Sequence, residues 1–154
     1  MTLRIIQFGK TRDAWLQEGI NEYLKRLAPF IKVEVRELRD HSLKNTSGPE
    51  EVKSLEAVSC LKHISRDDCL VLLDERGVVK TSLEFSTFLN TLSSEKTVVF
   101  VIGGVFGTGK SLKERADYTL SLSPMTFTHR MARLILVEQL YRAVMINSGR
   151  SYHV

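Results

Sequence analysis

Cysteine, proline and tryptophan are scarce in this chain: two, three and one among 154 residues. Cys60 and Cys69 are not spaced as C-x-x-C and no histidine pair accompanies them, so they form neither a zinc motif nor a dithiol redox motif. Two reduced structural thiols and no metal are the expectation. No apolar run approaches the roughly 20 residues that cross a bilayer, so no membrane span is expected. The start, MTLRIIQFGK, is charged too early and apolar too briefly for a secretion signal, which points to a cytoplasmic protein. Repeats, low-complexity tracts and proline- or glycine-rich linkers are missing too, so the reading is one domain across 1–154. An acidic excess is also lacking. Lys and Arg number 22 against 18 Asp and Glu, and a net charge of +4 favours an anionic partner, RNA included, without deciding for one.

What is present is a regular alternation of two periodicities. LRIIQF (Leu3 to Phe8) reads as a buried strand. Asp13 is placed to cap a helix whose Trp15, Leu16, Ile20, Tyr23, Leu24 and Leu27 share one face before Pro29 ends it. IKVEVREL (Ile31 to Leu38) alternates apolar with charged residues, as a half-exposed edge strand does. A polar loop, RDHSLKNTSGP, follows, and Pro49 opens a helix to about His63 with Val52, Leu55, Val58, Cys60 and Leu61 as its apolar side. CLVLL (Cys69 to Leu73) is continuously apolar and so reads as a central strand covered on both faces. A helix near Ser82 to Leu92 precedes the strand TVVFVI (Thr97 to Ile102). A short helix, the strand YTLSLS (Tyr118 to Ser123) and a long helix from about His129 to Ile146 complete the chain. The βαβαβαβαβα order predicts an α/β fold with a mostly parallel sheet between helices. Ligands in such sheets sit beyond the carboxyl ends of strands, here Leu73-Asp74, Gly103-Gly104 and the segment from Ser123.

The stretch GGVFGTGKSLKERA contains G-x-x-x-x-G-K-[ST] from Gly104 to Ser111, between a strand and a helix-like segment. A phosphate-binding loop of a nucleotide hydrolase is therefore one reading, with LVLLDE as a strand ending in a magnesium-binding Asp. Against it, the loop sits two-thirds along the chain instead of after the first strand. About seven residues separate Lys110 from the next strand, which leaves two helical turns at most to supply the dipole and free N–H groups. No N-K-x-D base-reading signal accompanies it.

Read together, FVIGGVFG, RADYTLSLSPMTFTHRMARLILVEQLYRAVMI and the terminal YHV resemble the RlmH family of the SPOUT methyltransferases, and FGK and EYLKRLAPF extend the resemblance to the N-terminus. The resemblance implies methylation of N3 of a pseudouridine in large-subunit ribosomal RNA, within the assembled ribosome, with S-adenosylmethionine as donor. It also implies a C-terminal trefoil knot and a homodimer with the donor site near the subunit interface. The long helix is apolar round most of its circumference, more than one sheet face requires. Carried onto this chain, the resemblance places the donor against Leu73, Gly103, Gly104 and Leu122, Ser123, Pro124, Met125, Thr126 and Phe127. Candidates for the chemistry are His129 as a base, Arg142 as an orienting cation, and Tyr152 and His153 at the tail. Arg4, Lys25, Arg26, Arg130, Arg133 and Arg150 are candidate phosphate contacts. The chain departs from the family pattern in ending on Val154 where Lys or Arg is usual, in Thr128 where proline often precedes the histidine, and in the bulky Val105-Phe106. A non-catalytic RNA- or ribosome-binding protein of the same fold is a further alternative.

Overall fold

The structure is a computed structural model and describes residues 1–43 and 48–152. Five parallel strands, β1 (Thr2–Phe8), β2 (Lys32–Leu38), β3 (Cys69–Val79), β4 (Thr97–Ile102) and β5 (Tyr118–Ser121), form one sheet in the order β2-β1-β4-β3-β5. Side chains alternate across it, and the two resulting cores explain why the central strands are apolar throughout. Leu3, Ile5, Val71, Val98 and Phe100 face helices α1 (Ala14–Leu27), α3 (Ser82–Thr91) and α5 (His129–Asn147). Ile6, Phe8, Leu70, Leu72, Val99 and Val101 face α2 (Pro49–Leu61) and α4 (Lys110–Arg115). Each fully buried Leu or Phe contributes about 1.5–3 kcal/mol of burial free energy. The expected α/β class with a sheet between helices is what forms, with every strand pair parallel.

Chain direction then creates the site. The connection leaving β1 turns to the α1 face and that leaving β4 turns to the α4 face, while β3 again feeds the first face. Crevices therefore open at the carboxyl ends between β1 and β4 and between β4 and β3, where open α/β sheets bind ligands.

Several local expectations change. Asp13 stands at the N-cap of α1 but makes no side-chain cap; its carboxylate pairs with Arg130 at 3.1 Å and ties the starts of α1 and α5 together. Trp15, Leu55 and Val58, assigned to apolar faces, are exposed. The polar loop holds a 3-10 turn at His41–Leu43, and residues 44–47 lie outside the described residues. Helix α3 carries a full capping box: the Glu84 N–H donates to Thr81 Oγ1 at 3.2 Å and the Thr81 N–H donates to Glu84 Oε2 at 2.7 Å. Strand β5 stops at Ser121, two residues early, and β3 runs six residues past Leu73.

That extension contains a bulge. Register with β5 shifts between Leu73 and Val78, both of which pair with Leu120. Gly77 sits in it because a Cβ there would stand 2.7 Å from the Leu120 carbonyl carbon. Gly77→Ala is expected to lower the thermal midpoint by several degrees, about 1–3 kcal/mol of overpacking. Gly48→Ala, where a Cβ meets nothing within 4 Å and only a favourable N-cap residue of α2 is lost, should cost less, about 1 kcal/mol or under. Equal midpoints for the two variants would contradict the bulge argument.

Candidate functional site

Leu73 pairs with Ile102 on one side and Leu120 on the other, so the segments after β4, β3 and β5 leave the sheet at one edge. The loop after β5 is shaped by its own short polar residues. Ser121 Oγ donates to the Ser123 carbonyl at 2.9 Å, and the Met125 N–H donates to Ser123 Oγ at 2.9 Å. Thr126 Oγ1 donates to Glu75 Oε2 at 2.7 Å and joins this loop to the β3 extension. Leu73 is buried, Leu122 and Ser123 are half-buried, and Pro124 to Phe127 are exposed. Met125 keeps 73% of its surface in solvent, so core packing does not account for it.

The glycine loop turns back on itself. The Gly107 N–H donates to the Gly104 carbonyl at 3.1 Å, with Gly107 at φ 86°. A Cβ on Gly103 would stand 3.0 Å from Thr108 Cγ2, and one on Gly104 would stand 2.5 Å from Glu56 Oε1. A side chain on Gly103 would thus crowd the loop's own Thr108, and one on Gly104 would press on Glu56 of α2. The rest of GTGKS serves helix packing: a Cβ on Gly109 would meet the Lys53 carbonyl oxygen of α2 at 2.6 Å. Lys110 points into solvent and pairs with Glu114 at 3.7 Å, on a helix of only six residues. Gly104 and Lys110 serve different neighbours, so the stretch does not form one phosphate cradle.

A cleft of about 520 Å³ lies beside the glycine loop, at the carboxyl ends of β1 and β2. Lys10, Arg12, Arg39, Asp40, Val105 and His129 line it. Lys10, Arg12 and Arg39 have no ion-pair partner among the described residues, so the cleft is basic despite Glu37 and Asp40. His129 opens α5, which Thr128 caps by accepting from the Met131 N–H at 3.2 Å. Burial, then Arg133 and Arg130, lower the His129 imidazole below its ordinary value, with Asp40 opposing. The ring is consequently neutral and able to accept a proton near pH 7. Arg133, one turn on, is fully buried: it donates to the Phe8 carbonyl at 2.6 Å and to Thr11 Oγ1 at 2.9 Å, and its Nε has no partner among the described residues.

Arg142 and Tyr152 lie elsewhere. Thirteen residues of helix separate Arg142 from His129, about 20 Å. Arg142 pairs with Glu138 at 2.6 Å and lies over the Tyr152 ring at 4.8 Å. The Tyr152 hydroxyl approaches Glu138 Oε1 at 3.3 Å and Tyr23 at 3.2 Å; burial first, then these partners, raise it above its ordinary value. His153 lies outside the described residues. Within one chain, then, the donor-loop candidates gather with His129 beside them, while Arg142 and Tyr152 form a second cluster against α1.

The family model described as "Predicted SPOUT methyltransferase" matches residues 1–153. A protein named ribosomal RNA large subunit methyltransferase H from Acetivibrio thermocellus is 45% identical, over 99% of both chains. One with the same name from Geotalea daltonii is 41% identical over 99% of both. A putative protein of that name from Methanoregula boonei is 44% identical, again over 99% of both. The chain belongs to the SPOUT methyltransferase family.

Membership in the SPOUT methyltransferases implies a methyl donor. It also sorts the arginines. Arg4 is engaged by Glu34 and Asp68, each at 3.3 Å, and Arg26 pairs with Glu22 at 2.8 Å. Arg150 lies over the Phe30 ring and Arg133 is interior. The sequence reading missed Lys10, Arg12, Arg39, Glu56 and Glu75. Lys10, Arg12 and Arg39 could have been found as cations soon after a strand end; the two carboxylates have no local signal. Burial also pushes Cys60 up to about 12 and Cys69 up to about 11, which suits structural thiols and no nucleophile.

Protonation of His129 followed by nuclear magnetic resonance should show a midpoint below the ordinary value of about 6.5. Arg130→Gln should raise that midpoint, because a cation opposing protonation is lost. A wild-type midpoint at or above the ordinary value would contradict the electrostatic description.

Proposed function

We propose that this SPOUT methyltransferase transfers a methyl group from S-adenosylmethionine to N3 of a pseudouridine in large-subunit ribosomal RNA, in the assembled ribosome and in the cytoplasm. The observation that carries the reading is the juxtaposition of the three-loop edge with a basic cleft. Near-full-length identity to proteins named for large-subunit ribosomal RNA supports the substrate. No helix among the described residues is long and apolar enough to cross a membrane.

The loops fit the donor. Met125 and Phe127, after β5, are apolar groups left in solvent, and Gly103 and Gly104, after β4, offer backbone that bears no side chain. They would form the wall for an adenosyl group, with Leu73, Leu122, Ser123, Pro124 and Thr126 completing the site. Bound there, the donor supplies an electrophilic methyl group on a sulfonium sulfur. His129 accepts the N3 proton and leaves the ring nitrogen as nucleophile. Lys10, Arg12 and Arg39 hold RNA phosphates, which position the base without reading its sequence.

The separation of about 20 Å along α5 favours a homodimer, in which Arg142, Tyr152 and His153 of a second protomer approach the His129 end of the first. A C-terminal trefoil knot and a single domain over 1–154 belong to the same reading, supported by family membership.

With labelled donor and ribosomes from cells lacking the modification, the wild type should incorporate methyl groups. His129→Ala should reduce kcat about 100-fold or more. Gly103→Val should abolish incorporation, and Lys110→Ala should stay within about twofold. Binding to ribosomes with no incorporation would favour a non-catalytic RNA-binding protein. Light scattering at micromolar concentration should give a dimer, and a monomer would contradict the shared site.

A further inference from the structure

Glu56 is an acidic side chain where α2 otherwise packs apolar groups against the sheet. It is 2% exposed, and no ion pair reaches it among the described residues. Its two oxygens face different loops. Oε2 accepts from the His41 N–H at 3.1 Å, in the 3-10 turn beyond the cleft residues Arg39 and Asp40. Oε1 has no hydrogen-bond partner among the described residues and faces Gly104, where a Cβ would stand 2.5 Å away. The neighbouring Lys53 of α2 is held by Glu50 at 2.8 Å. A charge here would be paired with nothing, a costly arrangement. Burial, with a smaller contribution from Asp40 and opposition from the His41 N–H, raises the carboxyl to about 7. The acid form is therefore well populated at neutrality, which leaves Oε2 to accept from the His41 N–H without an unpaired charge.

We infer that Glu56 is a positioning residue that holds the glycine loop and the cleft wall at residues 39–43 in one register. One carboxyl touches both segments, one through a backbone hydrogen bond and the other through the gap that Gly104 leaves for it. The glycine loop lies at the β4 end and residues 39–43 follow the β2 end, with β1 between them in the sheet. No backbone ladder links those strand ends directly, and the Glu56 side chain of α2 reaches both. What the loops hold rests on the methyltransferase reading; the brace itself does not.

Hydrogen exchange on the full chain without ligand tests the brace directly. Glu56→Ala should speed exchange at 39–43 and at 103–108 together. Glu56→Gln, which preserves shape and can both accept and donate, should restore both. Gly104→Ala, which pushes on the carboxyl from the loop side, should loosen the same two segments. In turnover assays Glu56→Ala should raise the KM for S-adenosylmethionine about tenfold, with kcat within about twofold and Glu56→Gln near wild type. Faster exchange at neither segment or at one alone, or a Gln variant as loose as Ala, would overturn the inference. Should the wild type bind no S-adenosylmethionine, the methyltransferase reading fails, and the paired exchange result still decides the brace.

Discussion

A buried guanidinium holds the working end of this protein together. Arg133 has no carboxylate partner among the described residues; it donates to the carbonyl that ends β1 and to Thr11 just beyond. A charge-assisted hydrogen bond to a buried carbonyl is worth about 1.5–3 kcal/mol. Its effect here is positional. It fixes the first turns of α5 against the end of β1, which places His129 and Arg130 beside the strand ends. It also puts a permanent positive charge close to His129, one cause of that ring's neutrality.

With that junction fixed, sheet topology does the rest. Alternating the sides on which helices leave β1, β4 and β3 opens adjacent crevices along one edge. The segments after β3, β4 and β5 border one of them, and the cations of the cleft lie beyond the other, at the ends of β1 and β2. Charge is divided accordingly. Among the described residues Lys10, Arg12 and Arg39 have no ion-pair partner at the cleft, whereas Arg4, at the amino end of the sheet, is held by two carboxylates.

Much of this was legible in the residues. Continuous apolar runs identify buried parallel strands because such strands are covered on both faces, and LRIIQF, CLVLL and TVVFVI all form. The proposal that SLSPMTF meets a donor rests on a family resemblance and not on chemistry, since those residues alone read as a turn beside core. Other features were hidden for physical reasons. DERGVV looks like a loop, and only pairing with β5 keeps it extended. Arg133 looks like one more solvated helix charge, because burial of a cation depends on a carbonyl 125 residues away in sequence. Gly109 imitates a phosphate loop while its true neighbour is the α2 backbone. Asp13 was expected as a cap and instead joins Arg130, an ion pair no local pattern encodes.

The central claim is that the edge formed by Leu73, Gly103-Gly104 and Leu122 to Phe127 receives a methyl donor and not a nucleotide phosphate. Calorimetric titration of the purified chain with S-adenosylmethionine, and separately with ATP and magnesium, addresses it most directly. The account predicts saturable binding of S-adenosylmethionine and none of ATP-magnesium. Tight nucleotide binding without donor binding would contradict it.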